Sequence, residues 1–71
     1  MTATQLLNTI SEGWSENSCG LLCNPNEGGG IIDRVFLSDE WFVIFNDGRS
    51  PISGLDSRDD AVEAFASAMN A

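Results

Sequence analysis

Cys19 and Cys23 are the only cysteines in a sequence that contains no histidine, no lysine and no tyrosine. A cysteine nucleophile normally works beside a histidine that acts as its base, and this chain cannot supply one. A carboxylate would serve as a general base near neutral pH only if desolvation raised its pKa strongly, and a small core offers little room for that. The available residue types therefore argue against an enzyme.

The same two cysteines make a poor metal site. A C-x3-C spacing with no histidine and no further cysteine falls short of the four ligands of a structural zinc ion. In an extended strand their Cα atoms would lie on the order of 13 Å apart, beyond the reach of a disulfide. We therefore expect free thiols, with no metal and no cofactor bound. A disulfide between Cys19 and Cys23 could form only if the segment between them is helical or tightly turned.

Four carboxylates concentrate at the start of the last predicted helix: Asp56, Asp59, Asp60 and Glu63. The last three share one helical face, where like charges repel by a few tenths of a kcal/mol per pair. Helix capping and the helix dipole account for Asp56, Asp59 and Asp60. No stretch of the sequence shows the Asp/Asn spacing of a calcium-binding loop. With no lysine among them, the four also suit a surface that binds a basic groove. Carboxylates in predicted turns would extend that surface: Asp39, Glu40 and Asp47.

Two helices are predicted from apolar residues at helical spacing, over residues 3–14 and 58–70. Thr2 or Thr4 can cap the first helix. Ser57 and Asp60 resemble a capping box at the start of the second. The apolar residues are Leu6, Leu7, Ile10 and Trp14 in the first helix, and Val62, Phe65 and Met69 in the second.

Strands are predicted between the helices. The strongest covers residues 41–45, another covers 31–37, and shorter ones cover 20–23 and 49–53. The glycine run 28–30 reads as a flexible hairpin connection, because the Lys and Ser/Thr of a phosphate-binding loop do not follow it. Residues 1–71 therefore form a single α+β domain with an N-terminal helix, a three- or four-stranded antiparallel meander sheet and a C-terminal helix. We expect both helices on one face of the sheet.

Alternation along residues 41–45 predicts a second candidate surface. Phe42 and Ile44 point to one face of the sheet, away from the other three residues of that strand. Ile32 and Phe36 alternate similarly on the neighbouring strand. If both helices cover the opposite face, these side chains form an apolar patch of a kind that isolated soluble monomers rarely expose. Such a patch would bind a partner protein or a second copy of the chain.

The charge balance restricts the class of partner. Eleven acidic residues oppose three arginines, for a formal net charge of −8. The electrostatic potential should be negative over most of the surface, so nucleic acid and anionic membranes are poor partners and a basic protein surface is a good one. Nothing resembles a signal peptide, and the longest apolar run is too short to cross a bilayer. We expect a cytoplasmic protein.

In overall character the sequence resembles the small acidic inhibitors of phages and mobile elements, which include anti-CRISPR proteins and DNA-mimic antirestriction proteins. The resemblance rests on size, on eleven carboxylates and on the absence of lysine and histidine, and on no shared motif. It implies a non-enzymatic inhibitor in a host bacterial cell, whose carboxylates imitate DNA phosphates on the basic surface of a nucleic-acid-binding complex. The alternative is a protein–protein interaction module (an adaptor, an antitoxin or immunity-type protein, or an assembly subunit) that binds through the apolar strand face.

Overall fold

Every strand of the sheet pairs with its neighbours in the sequence, so the sheet is an antiparallel meander with strand order β1-β2-β3-β4-β5. The computed structural model describes residues 1–70. The predicted α+β class is confirmed, but the sheet has five strands rather than three or four. In chain order the elements are α1 (Ala3–Asn8), β1 (Ser15–Glu16), β2 (Leu22–Asn24), β3 (Gly30–Arg34), β4 (Trp41–Phe45), β5 (Ile52–Leu55) and α2 (Arg58–Met69).

Both helices pack on the same face of the sheet, as the sequence predicts. Phe65 of α2 is fully buried at the centre of this layer. Its ring lies edge-on to Trp14, with 5.0 Å between centroids, and stacks on Phe45 of β4 at 5.5 Å. Aromatic pairs in these arrangements each add about 1 kcal/mol beyond the area they bury. The rest of the core comes from α1, the three central strands and α2: Leu7, Leu22, Ile32, Val43, Ala61 and Val62.

Helix α1 is shorter than predicted, because it ends at Asn8 instead of Trp14. Its start follows the sequence: Thr2 and Gln5 form a capping box that satisfies two backbone N–H groups. Beyond the helix, the Asn8 side-chain oxygen accepts hydrogen bonds from the backbone N–H groups of Gly13 and Trp14, both at 3.0 Å. These hydrogen bonds hold the chain in a turn, and the Trp14 ring after this turn packs in the core. The apolar spacing therefore continues past the end of the helix.

A cluster of asparagine side chains holds the β2–β3 loop against the segment that follows α1. Asn24 is fully buried, and its amide nitrogen donates to the backbone oxygen of Glu12 at 3.0 Å and to Ser11 Oγ at 3.3 Å. Asn46 Nδ2 donates to the backbone oxygens of Asn24 and Asn26 at 2.7 and 2.8 Å. The glycine run, which the sequence suggests as a flexible connection, also takes part in these contacts: Ser11 Oγ donates to the Gly28 backbone oxygen at 2.7 Å, and the Asn46 N–H donates to the Gly29 backbone oxygen at 3.1 Å.

Close strand packing explains the last glycine of that run. Gly30 is buried opposite Phe45, and a Cβ atom at this position would overlap with the backbone oxygen of Ile44. Only glycine lets β3 and β4 approach this closely here. A side chain at position 30 would therefore push β3 and β4 apart at this end of the hairpin.

The remaining boundaries shift by a few residues. Strand β4 and the start of α2 lie where predicted, whereas β3 ends at Arg34 and β5 begins only at Ile52. Pro51 directly precedes β5, and a bulge interrupts the β4–β5 pairing. Since β1 is only two residues long, both edges of the sheet are short or irregular, which discourages the addition of further strands.

Candidate functional site

The carboxylates of α2 lie on the solvent side of the helix. Asp59, Asp60 and Glu63 are exposed, while Val62 and Phe65 face the core. Ser57 is the N-cap, and its side-chain oxygen accepts a hydrogen bond from the backbone N–H of Asp60 at 3.1 Å. The cap thus orients the first turn of the helix, and the next turn presents Glu63 on the same side.

Three more of the predicted carboxylates meet at the adjacent end of the sheet. Asp39 and Glu40 lie in the β3–β4 loop, and Asp56 lies between β5 and α2. All three line one shallow hollow between these two segments. Antiparallel pairing of β4 with β5 places the two segments side by side. Asp56 stands three residues before Asp59, so this hollow lies next to the start of α2 along the chain. We call Asp39, Glu40, Asp56, Asp59, Asp60 and Glu63 together the acidic surface.

Asp47 does not join the acidic surface. It lies in the β4–β5 turn, at the opposite end of the sheet, and forms an ion pair with Arg49 at 2.8 Å. Arg49 also donates to the backbone oxygen of Ala68 at 2.6 Å and lies 5.7 Å from the centre of the Phe45 ring. This arginine satisfies a carbonyl at the end of α2. Asp47 thus lies apart from the other predicted carboxylates and pairs with an arginine that contacts α2.

The acidic surface takes no part in the ion pairs, although two arginines lie near it: Arg58 borders the same groove as Asp59 and Glu63, and Arg34 lines the same hollow as Asp39. Within residues 1–70, the ion pairs are Arg49 with Asp47 and Arg58 with Glu16, the latter at 2.9 Å. None of the six carboxylates of the acidic surface takes part in either pair. Glu16 itself, which the sequence did not suggest, borders a groove of about 700 Å³ between α1 and α2, together with Asp59 and Glu63. Glu16 reaches this groove because β1 pairs with β2.

The second predicted surface, the apolar strand face, lies on the side of the sheet that no helix covers, but its residues differ in part from those predicted. Phe42 is half-buried and Ile44 is 40% exposed on that face. The placement of Ile32 there is wrong: it pairs with Val43 and is fully buried beneath the helices. Ile31, which pairs with Ile44, takes its place. A strand alternates its side chains between faces, so an error of one residue moves each side chain to the opposite face.

Phe36 also differs from its predicted position, because it lies beyond the end of β3. It is 87% exposed in the β3–β4 loop, and Leu37 beside it is 90% exposed. Neither can therefore belong to a strand face with Phe42 and Ile44. Ser38 and Asp39 mark the turn in the sequence, but no glycine or proline lies between Arg34 and Ser38 to show that β3 ends before Val35.

The two thiols lie at and near the start of β2. Cys19 is exposed in the turn before β2, Cys23 is half-buried in β2, and both are free. Within residues 1–70, no three acidic or cysteine side chains gather in a way that could hold a metal ion. In the same residues, no helix has the length and apolar character needed to span a membrane.

Comparison with known proteins finds no match for the chain among family models, curated proteins or solved structures. The geometry and charge of the described residues are therefore the basis for a functional hypothesis.

Proposed function

We propose that the protein is a non-enzymatic acidic inhibitor that binds the basic nucleic-acid-binding surface of a DNA-targeting complex in the cytoplasm of a host bacterium. The observation that carries the proposal is the acidic surface: six exposed carboxylates on α2 and the neighbouring loops, none of them in an ion pair. An anti-CRISPR or antirestriction protein that mimics DNA would present its carboxylates in this way.

The spacing of charge along α2 supports DNA mimicry. Asp59, Asp60 and Glu63 lie within about 6 Å of helix axis, with uneven rises of about 1.5 and 4.5 Å that average roughly 3 Å per charge. One strand of B-DNA carries a phosphate about every 3.4 Å along its axis. The three side chains lie within a sector of about 100° around the helix. A basic groove would therefore meet a similar line of negative charge.

Helix stability explains only part of this arrangement. Asp59 and Asp60 lie in the first turn of α2, where the helix dipole favours negative charge. Glu63 lies beyond the first turn, where that effect has decayed, and it repels Asp59 at four residues' distance by a few tenths of a kcal/mol. The described contacts give Glu63 no partner in the fold that would offset this cost. A basic partner would offset it.

A capture experiment tests the proposal. Tagged protein is incubated with lysate from a bacterium that carries DNA-targeting defence complexes and is then eluted with a salt gradient or with duplex DNA. Release of a nucleic-acid-binding complex by both is expected, because competing phosphates and screening salt act on the same charges. A partner that resists both treatments would contradict the proposal.

Paired charge reversals locate the contact. The double substitution Asp59→Lys and Glu63→Lys should abolish capture. The double substitution Glu12→Lys and Glu27→Lys makes the same change in net charge among exposed residues of the opposite end, and should weaken capture only slightly. Circular dichroism checks that both variants fold. Equal effects of the two variants would show that net charge alone matters, and not the α2 ridge.

A second candidate function is favoured by the uncovered sheet face. Ile31, Phe42 and Ile44 lie there with no helix above them, so an interaction module or a homodimer could use this face. An apolar interface responds little to salt, and a homodimer would show a concentration-dependent mass in sedimentation. Phe42→Ser and Ile44→Ser should disrupt such a complex and leave a charge-driven one intact.

A further inference from the structure

The tip of the β3–β4 hairpin is the most exposed apolar segment in the described chain. Val35, Phe36 and Leu37 are 39%, 87% and 90% exposed. Among the other large apolar side chains only Met1, the first residue, is as exposed as Phe36 and Leu37, whereas Leu6 and Ile44 are as exposed as Val35. The Phe36 and Leu37 side chains therefore contribute almost nothing to the hydrophobic core. We call these three residues the apolar tip.

Hydrogen bonds give the apolar tip a defined shape. The Val35 N–H donates to the backbone oxygen of Glu40 at 2.8 Å, and the Ser38 N–H donates to the backbone oxygen of Val35 at 3.0 Å. The Glu40 N–H donates to Ser38 Oγ at 3.0 Å. The tip is therefore built as a closed turn, and a partner that bound it would lose little free energy in ordering it.

Backbone strain at Leu37 points in the same direction. Leu37 has a φ of 60° and is the one non-glycine residue of the described chain with a positive φ. Glycine or asparagine ordinarily occupies this conformation, because a branched side chain there is strained. The bond from the Ser38 N–H to the Val35 oxygen places Leu37 at the third position of a four-residue turn, where a positive φ is common. The turn therefore needs this backbone conformation but does not need a leucine side chain. The Leu37 side chain points into solvent, so its contribution to the fold does not explain its presence.

Charged side chains surround the apolar tip. Asp33, Arg34 and Asp39 line the hollow beside it, and Glu40 and Asp56 border the next hollow. These are four carboxylates and one guanidinium, a net of three negative charges. A second copy of this chain would bring the same charges face to face, which disfavours self-association through the tip. A basic surface complements them.

We propose that the apolar tip is the anchor that inserts into an apolar pocket within the basic surface of the partner protein. The carboxylates around the tip then contact the lysine and arginine residues that border this pocket. The inference rests on the proposed function and adds to it: duplex DNA has no equivalent of this anchor, so the complex gains an apolar contact that salt does not screen. Few residues dominate most interfaces, and large side chains seated in pockets are the usual ones.

Two variants separate binding from folding. Phe36→Ser and Leu37→Gly should each weaken binding to the complex released by duplex DNA by about 30-fold, the loss typical of an interface hot spot. Leu37→Gly relieves the strained φ, so its loss of affinity cannot result from unfolding. The salt dependence of binding should stay as in the unmodified chain, because no charge is removed. Unchanged affinity in both variants would overturn the inference.

Photo-cross-linking identifies what the tip contacts. Benzoylphenylalanine is placed at position 36, and as a control at position 50, which is exposed at the other end of the sheet. Irradiation in the same lysate should link position 36, and not position 50, to an apolar segment flanked by lysine or arginine in the captured complex. Capture of the complex without a link at position 36 would overturn the anchor and leave the proposed function standing. Failure to capture any DNA-sensitive complex would overturn both.

Discussion

The strained residue of the hairpin tip yields a stability prediction that needs no partner. Leu37 holds a left-handed backbone conformation and is 90% exposed, so replacing it with glycine removes strain and almost no buried area. Relief of the left-handed conformation contributes about 1–2 kcal/mol. The greater freedom of glycine in the unfolded chain takes back about 0.5–1 kcal/mol. We expect Leu37→Gly to raise the free energy of unfolding by about 0.5–1 kcal/mol.

Thermal denaturation followed by circular dichroism measures this change. For a domain of this size, about 1 kcal/mol corresponds to about 4–8 °C in Tm, so Leu37→Gly should melt about 3–6 °C higher. Leu37→Ala is the matched control, because it removes the side chain and keeps the strained conformation, and its Tm should stay close to that of the unmodified chain. If the alanine and glycine variants melt together, the backbone strain at Leu37 is not what we infer.

Two further substitutions test the asparagine cluster and the strand packing. Asn24→Ala should lower the free energy of unfolding by about 2–3 kcal/mol, because it leaves buried polar groups without partners. The control Glu27→Ala in the same loop should change the free energy of unfolding by less than about 0.5 kcal/mol. Urea denaturation measures both values, and equal values would contradict the role of the asparagine cluster. Gly30→Ala should cost at least about 2 kcal/mol, because the new methyl group overlaps with the backbone of β4. Proton NMR should show displaced resonances in β3 and β4 for this variant, and a native spectrum would refute the close approach of the strands.

The elements that could be predicted are those whose signals are local. Strand β4 consists of aromatic and β-branched residues throughout, and its bounds agree with the prediction. Helix α2 begins directly after Ser57, the residue expected to cap it. In both cases the neighbouring residues alone favour the observed conformation.

The elements that could not be predicted depend on distant contacts. The side chain of Asn8 ends α1 early by bonding to residues five and six positions later, although the apolar pattern continues through Ile10 and Trp14. Strand β1 has no apolar pattern and exists because it pairs with β2. Pattern alone cannot distinguish a helix from a turn that buries the same side chains.

The residues of the candidate site show the same difference between local signals and distant contacts. The ridge on α2 follows from helical geometry, so the sequence correctly predicts that Asp59, Asp60 and Glu63 share one exposed face. The face on which Ile32 lies depends on how β3 pairs with β4. The exposure of Phe36 depended on where β3 ends. Register and strand ends are set by the tertiary structure, and a single sequence does not show them.

The meander order has a consequence for how the chain acquires its structure. Because every strand pairs with its neighbour in the sequence, no long loop must close before two strands can meet, and the entropy cost of each pairing is small. Proteins dominated by such local contacts fold faster than sheets of the same size with distant pairings. The five-residue register between β3 and β4 is the longest in the sheet, so we expect folding to begin at this hairpin. The segment that carries the exposed tip would then be among the first parts of the molecule to form.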